Sequence, residues 1–295
     1  MKPVDLSAIT IDTLPASLHQ QQLTIDVLRL DKIHSLISGN KWFKLHNYLE
    51  KFRAEGKKRL VTYGGPWSNH LIATAALTHL EKIPSLGLIR GERPSHLSQV
   101  LLEAGSLGME LLFLDRDTYR AGMLPPSIDP NQDLIVPQGG YGKEGMTGAM
   151  KILDYCDPSH YSHICCAVGT GTMMAGLIKA AAASQEVMGF SVMKNNFELL
   201  PAVEKLLQGK APHARIDHDH HFGGYAKYDQ SLLDFMNDLY RKTGIPTDIV
   251  YTSKLVYGVL SRAKRGYFPK GGRILLIHSG GLTGNSSLKN GTLIF

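Results

Sequence analysis

Ile164-Cys165-Cys166-Ala167-Val168-Gly169-Thr170-Gly171-Thr172-Met173-Met174-Ala175-Gly176 runs from an apolar stretch through a glycine–threonine bend into an alanine-rich one. The apolar run at 164–168 reads as a buried strand and 172–183 as a helix. The bend between them lies where unpaired helix N–H groups and a partial positive charge collect, so it suits a phosphate. The glycines allow close backbone approach and the threonine hydroxyls add donors. An ordinary strand-to-helix turn has the same appearance. No Gly-Lys-Ser/Thr follows, which excludes a Walker loop. A dinucleotide fingerprint ending at Gly176 has the wrong spacing, and no acidic residue closes the next strand.

The same alternation extends in both directions. Further strands are predicted at 60–63, 86–89, 109–114, 134–136, 187–193, 249–251 and 273–278. Helices are predicted at 69–80, 95–104, 198–208, 229–243 and 254–265. A helix opening at Lys41 places Trp42, Leu45, Leu49 and Phe52 on one apolar face, which reads as core. Strands and helices alternating at this spacing predict an α/β architecture of parallel-rich sheets flanked by helices. Pro/Gly-rich stretches at 124–132 and 137–145 mark a junction. The expected organisation is a small domain at 45–139 inserted in a larger one made of 1–44 and 140–295.

The bulk properties narrow the class. The chain has 295 residues, 43% hydrophobic and 20% charged, enough for a real core. No apolar run nears the ~20 residues of a membrane helix. The N-terminus has no apolar signal core, so a cytoplasmic protein is expected. Cys156, Cys165 and Cys166 give no disulfide framework and read as free thiols. The net charge of +6 is scattered, with Lys57-Lys58-Arg59 the densest run, and there is no basic stripe with interleaved aromatics for nucleic acid. A mild positive field also suits anionic small molecules. His213, His218, His220 and His221, with Asp217 and Asp219, match no standard zinc spacing and read as a polar loop. Metal binding there, in a non-catalytic protein, remains the alternative.

Two further segments carry chemistry. Lys41 follows Ser38-Gly39-Asn40 and precedes Trp42-Phe43, a partly apolar setting in which desolvation would free its amine for nucleophilic attack. Gly64-Gly65-Pro66-Trp67-Ser68-Asn69-His70 again turns into a helix. Ser68 there is either a structural N-cap or part of an anion site at the helix start. Tyr225 and Tyr251 stand in Gly-flanked or polar surroundings and read as packing residues or site residues.

Taken together, the chain resembles the fold-type-II pyridoxal 5′-phosphate (PLP) enzymes, specifically the D-cysteine desulfhydrase/1-aminocyclopropane-1-carboxylate (ACC) deaminase family. Seven segments carry the resemblance in order: SGNKWFKL from Ser38, GGPWSNHLIATAA from Gly64, PQGGYGKEG from Pro137, VGTGTMMAG from Val168, GGYAK from Gly223, YTSK from Tyr251 and IHSGG from Ile277. The resemblance implies a tryptophan-synthase-β-like fold with PLP bonded to Lys41. It implies that Asn69 meets the cofactor 3′-oxygen, Gly169, Thr170, Gly171 and Thr172 cradle the phosphate, and Ser279 faces the pyridine nitrogen. It assigns Ser68, Asn69, His70, Gly140, Tyr225 and Tyr251 to the substrate, with Lys41, Ser68 and Tyr251 catalytic, and no metal. The implied activity is a lyase/deaminase on a small amino acid, releasing a 2-oxo acid, ammonia and sulfide, in a homodimer without nucleic-acid or membrane partners. His70 after Ser-Asn is the desulfhydrase-like choice, where ACC deaminases usually carry Gln. The strand end Leu275-Leu276-Ile277-His278-Ser279 lacks the second tyrosine and the acid that ACC deaminases tend to carry. An uncharged Ser279 would leave the pyridine nitrogen unprotonated, a milder electron sink. ACC deaminase, D-amino-acid dehydratase and racemase stay open as alternatives, as does a nicotinamide-dependent dehydrogenase from another class.

Overall fold

The structure, a computed structural model, describes residues 1–19 and 22–295. Its strands are β1 (Ile11–Thr13), β2 (Thr24–Arg29), β3 (Arg59–Gly64), β4 (Ser85–Arg90), β5 (Met109–Leu114), β6 (Asp133–Val136), β7 (His163–Val168), β8 (Glu186–Ser191), β9 (Ala214–Asp217) and β10 (Arg273–His278). Its helices are α1 (Asn40–Ala54), α2 (Asn69–Leu80), α3 (Gln99–Ser106), α4 (Arg116–Ala121), α5 (Lys143–Met150), α6 (Thr172–Ala180), α7 (Leu199–Leu207), α8 (Gln230–Thr243) and α9 (Thr252–Lys264). They build two sheets, one of six strands in the order β1-β2-β10-β7-β8-β9 and one of four in the order β5-β4-β3-β6. Every pairing is parallel except β1 with β2. The expected α/β architecture is therefore present, and the four-stranded sheet is built wholly from residues 59–136.

β7 shows why the apolar runs become central strands. Cys166 and Val168 join the core against α6 and α7, while Cys165 and Ala167 join the core under α9. Both faces of a parallel sheet are covered, so the strand is apolar throughout. Because side chains alternate, the adjacent thiols point to opposite faces, and both are free. Helix α1 links the two sheets: Phe43 packs in the larger sheet's core, and Leu45, Tyr48, Leu49 and Phe52 in the smaller's. Trp42, expected in that stripe, is only half-buried.

The structure corrects several sequence expectations. Residues 249–251 are a turn, not a strand. The buried Asp248 carboxylate accepts the amides of Val250, Tyr251 and Thr252 at 2.9, 3.0 and 2.7 Å, and curls the segment into the start of α9. Helix α3 begins at Gln99 and not at 95, because the Ser98 hydroxyl caps it. Helix α6 stops at Ala180, where Ala181 is extended. Strands β1, β2 and β9 and helices α4 and α5 were not predicted. Strand β2 hides its pattern behind Asp26 and Arg29, both buried. Asp26 is paired with Arg273, and Arg29 with Asp12 and Asp31. Helix α5 looks like a loop because it carries glycines. Gly148 lets it lie so close to α1 that any Cβ would strike the Phe43 carbonyl.

Candidate active site

The carboxyl ends of strands from both sheets converge on one cavity of about 800 Å³. Residues just beyond β3, β4, β6, β7 and β10 line it, namely Gly65, Arg90 at the last position of β4, Pro137, Gly169 and Ser279. Open parallel sheets bind ligands at this end.

Lys41 enters from the first turn of α1. Its Nζ donates to Asn40 Oδ1 at 2.9 Å and lies 6.0 Å from the centre of the Tyr251 ring. Burial pushes the amine down to about 8, against a smaller upward pull from the Asp248 carboxylate. Gly39 sets the entry of the helix. Its φ is +62°, and a Cβ there would fall within the Ser279 carbonyl group. The Asn40 amide donates to the same Ser279 oxygen at 3.1 Å. The loop carrying Lys41 and the loop after β10 are thus in backbone contact, which brings Ser279 into the cavity wall with Lys41.

The start of α2 forms another wall. The Ser68 hydroxyl accepts the Leu71 amide at 3.2 Å, so it serves as the N-cap and still lines the cavity. The Asn69 amide group donates to the Gly281 carbonyl at 2.7 Å, and its oxygen accepts the Thr283 hydroxyl. One amide hydrogen of Asn69 stays uncommitted. His70 is buried, with Nε2 2.8 Å from Thr62 Oγ1. That hydroxyl spends its proton on the Val136 carbonyl, so it must accept from His70. Nε2 therefore carries the proton and Nδ1 holds a lone pair without a partner. Burial first, then the charges of Lys41 and Lys44, hold the imidazole well below its usual range and keep it neutral. Its side chain has no free N–H for a carboxylate; the α2 backbone amides do.

Opposite lies the glycine–threonine bend. Gly169, Thr170 and Gly171 line the cavity at the start of α6, while Thr172 sits one layer back, its hydroxyl 3.0 Å from that of Thr170. A Cβ on Gly169 would stand 3.3 Å from the Tyr251 ring. Tyr251 lines the cavity, and burial followed by neighbouring Tyr225 pushes its hydroxyl well above the usual range, so it stays protonated. The rings of Tyr225 and Tyr251 meet edge-on at 6.2 Å. Gly140 backs the stem of Lys44 and does not line the cavity. The histidine-rich segment lies apart: His220 pairs with Asp217, which also takes Arg262, and no metal-holding cluster exists among the described residues.

Sequence reasoning missed Lys44, one turn beyond Lys41. It is buried, donates to the Gly139 carbonyl at 3.2 Å, and is held well below the usual lysine range by burial and by the charge of Lys41. The signal was available, since residues three apart share a helix face. Asp248 was missed as well, for lack of a local pattern.

These residues fit PLP. A phosphate would find free N–H groups, threonine hydroxyls and the Lys44 amine, and an aldehyde would find a desolvated amine on Lys41.

No family model matches the chain. A bifunctional D-cysteine desulfhydrase/ACC deaminase, mitochondrial, of Arabidopsis thaliana is 25% identical over 96% of this chain and 80% of its own length. Putative ACC deaminases of Pyrococcus abyssi and Thermotoga maritima are each 26% identical, over 90% and 88% of this chain and 87% and 89% of their own lengths. Among solved structures, an ACC deaminase homologue matches with a TM-score of 0.80 at 22% identity, covering 97% of this chain and 92% of that one. A hydrogen sulfide-producing enzyme of Fusobacterium nucleatum matches with a TM-score of 0.69 at 14% identity, covering 95% and 96%. The fold is the fold-type-II arrangement that the sequence predicted, and the relatives carry the names of the family it resembled.

Proposed function

We propose that the protein is a PLP-dependent lyase/deaminase of a small amino acid, with D-cysteine desulfhydrase-like α,β-elimination as its reaction. Bound in the cavity, the cofactor would supply an electron sink for charge developing at Cα. The chain's own residues supply the rest. Gly169, Thr170 and Gly171, with Thr172 behind them and Lys44 beside them, hold the phosphate. Lys41 bonds the aldehyde and moves the proton at Cα. The free amide hydrogen of Asn69 meets the phenolic oxygen, and Ser279 meets the ring nitrogen. Ser68 and the first amides of α2, at Asn69 and His70, bind the substrate carboxylate. Tyr251, kept protonated by burial, donates to the departing thiolate. Tyr225 covers the outer side, and Gly140 acts through Lys44.

The observation that carries this reading is the Lys41 amine, desolvated to about 8 in the same cavity as the amides that open α6. The reading includes an inserted small domain at 45–139, a large domain at 1–44 and 140–295, a homodimeric assembly and a cytoplasmic setting. Its test is purified protein supplied with PLP. We expect visible absorbance that Lys41→Ala abolishes, and sulfide, pyruvate and ammonia from D-cysteine. Absorbance retained by Lys41→Ala would overturn the reading. Turnover of ACC in place of D-cysteine would move the activity to ring opening.

A further inference from the structure

Among the described residues, the cavity lining contains no aspartate and no glutamate. Its cations are Lys41, Lys44 and Arg90. The proposed function uses the two lysines and leaves Arg90 without a task. Arg90 ends β4 and reaches the loop before α2, where its Nη2 lies 3.8 Å from the position a Cβ on Gly65 would take. It makes no ion pair and no side-chain hydrogen bond among the described residues. Arg116, Arg241 and Arg265 also form no ion pair among the described residues, but they stand away from the cavity, whereas the exposed Arg90 lines it.

A second donor faces the same mouth. Gln138 lines the cavity, and its Oε1 accepts the Tyr119 hydroxyl at 3.2 Å. With the oxygen engaged, the Nε2 hydrogens are left for whatever enters. Tyr119 also lies close enough to Arg90 to feel its charge. A guanidinium and an amide NH₂, with no carboxylate among the described residues of the wall, form a receptor for an oxyanion. The substrate α-carboxylate is already provided for at the start of α2.

We infer that the substrate carries a second acidic group on its side chain, a carboxylate or sulfonate, bound by Arg90 and Gln138. This rests on the proposed PLP chemistry and narrows its substrate class from small neutral amino acids to anionic ones. Arg90 and Gln138 touch only the distal acid and determine specificity.

The test uses holoenzyme and substrate pairs that differ only in that acid, D-serine against 3-hydroxy-D-aspartate and S-methyl-D-cysteine against S-carboxymethyl-D-cysteine. The anionic member of each pair should show a kcat/KM about tenfold or more above its partner, the span of one charge-assisted hydrogen-bond pair at a partly exposed site. Arg90→Gln should bring the ratio to about one, chiefly through KM. Binding supplies a readout independent of turnover: by titration calorimetry, succinate should bind more tightly than propionate, and Arg90→Gln should remove the difference. Equal preference within both pairs, or a ratio untouched by Arg90→Gln, overturns the inference and leaves the PLP reading standing if the absorbance of the cofactor on Lys41 responds to the neutral members. Absence of that absorbance overturns both.

Discussion

The state of Lys41 before the cofactor arrives can be measured. An ammonium cannot attack an aldehyde, so the rate of PLP capture tracks the neutral fraction of the amine. With its pKa lowered to about 8, about a tenth of the amine is neutral at pH 7, against about 0.03% for a lysine at 10.5. The cleft thus raises the reactive population about 300-fold at neutral pH. The groups that face the amine explain the value. Burial drives it down and Asp248 beneath the α9 turn pulls it back up; the Lys41 charge in turn pushes Lys44 down. The Tyr251 ring and neutral His70 add no countercharge.

The assay is stopped-flow mixing of apoprotein with excess PLP across about pH 6 to 10. The capture rate should climb with pH and level off with a midpoint near 8. Removing the acid that stabilises the ammonium, with Asp248→Asn, should move the midpoint lower. A rate that still rises steeply beyond pH 9.5 would mean a solvated lysine. A rate independent of pH would mean that capture is limited elsewhere. The first result refutes the desolvated nucleophile.

Other expectations concern single contacts. Gly39→Ala forces a positive φ and a clash with the Ser279 carbonyl, and should cost about 3 kcal/mol or more by denaturant unfolding, with loss of PLP capture. Thr62→Val keeps the shape but leaves the His70 Nε2–H buried without an acceptor, and should cost about 1–3 kcal/mol in thermal unfolding. Tyr251→Phe should lower kcat about 100-fold or more with KM little changed if its hydroxyl protonates the leaving group, and an unchanged kcat would remove it from that role. Lys254→Met deletes the buried 2.7 Å bond to the Gly224 carbonyl that holds the Tyr225 loop, and should raise KM more than it lowers kcat.

The sequence carried the central parallel strands well because both faces of the sheet are buried there, so β7 and β10 read as apolar runs along residues 164–168 and 274–277. It failed where polar residues are satisfied at a distance. Asp26 in β2 is neutralised by Arg273, and nothing near Asp26 in the chain announces that partner. It failed again at 249–251, where an apolar triplet looks like a strand until Asp248 claims its amides. Within the site, Lys41, Ser68 and the Gly169 bend were legible as local chemistry. Lys44 could have been read from its place one turn beyond Lys41, but Arg90 could not, because it looks like any solvated cation until the cavity beside it is seen to lack acids. His70 shows a finer limit: its protonation is set by Thr62 and Val136, on strands that meet it only in the folded protein.

The buried cations also dictate how stability follows pH. Lys41 and Lys254 are each held at about 8 in the fold, against 10.5 when unfolded. A lowered folded value means the unfolded chain binds more protons between those limits, so stability rises with pH through that window. The gain is about 1 kcal/mol per group between pH 8 and 9. Groups with raised values act in the opposite sense: tyrosines such as Tyr119, at about 12, only above pH 10, and Cys156, Cys165 and Cys166 already from about pH 8, by less than the lysine gain. Apoprotein should therefore grow more stable from pH 8 to 9. Once PLP occupies Lys41, that amine no longer titrates as a free lysine, and the phosphate offers Lys44 a counterion. The holoprotein slope should then fall by about one proton. Equal slopes for the two forms would mean that the Lys41 amine is as well solvated in the fold as in the unfolded chain, and the nucleophile would have to be sought elsewhere in the cavity.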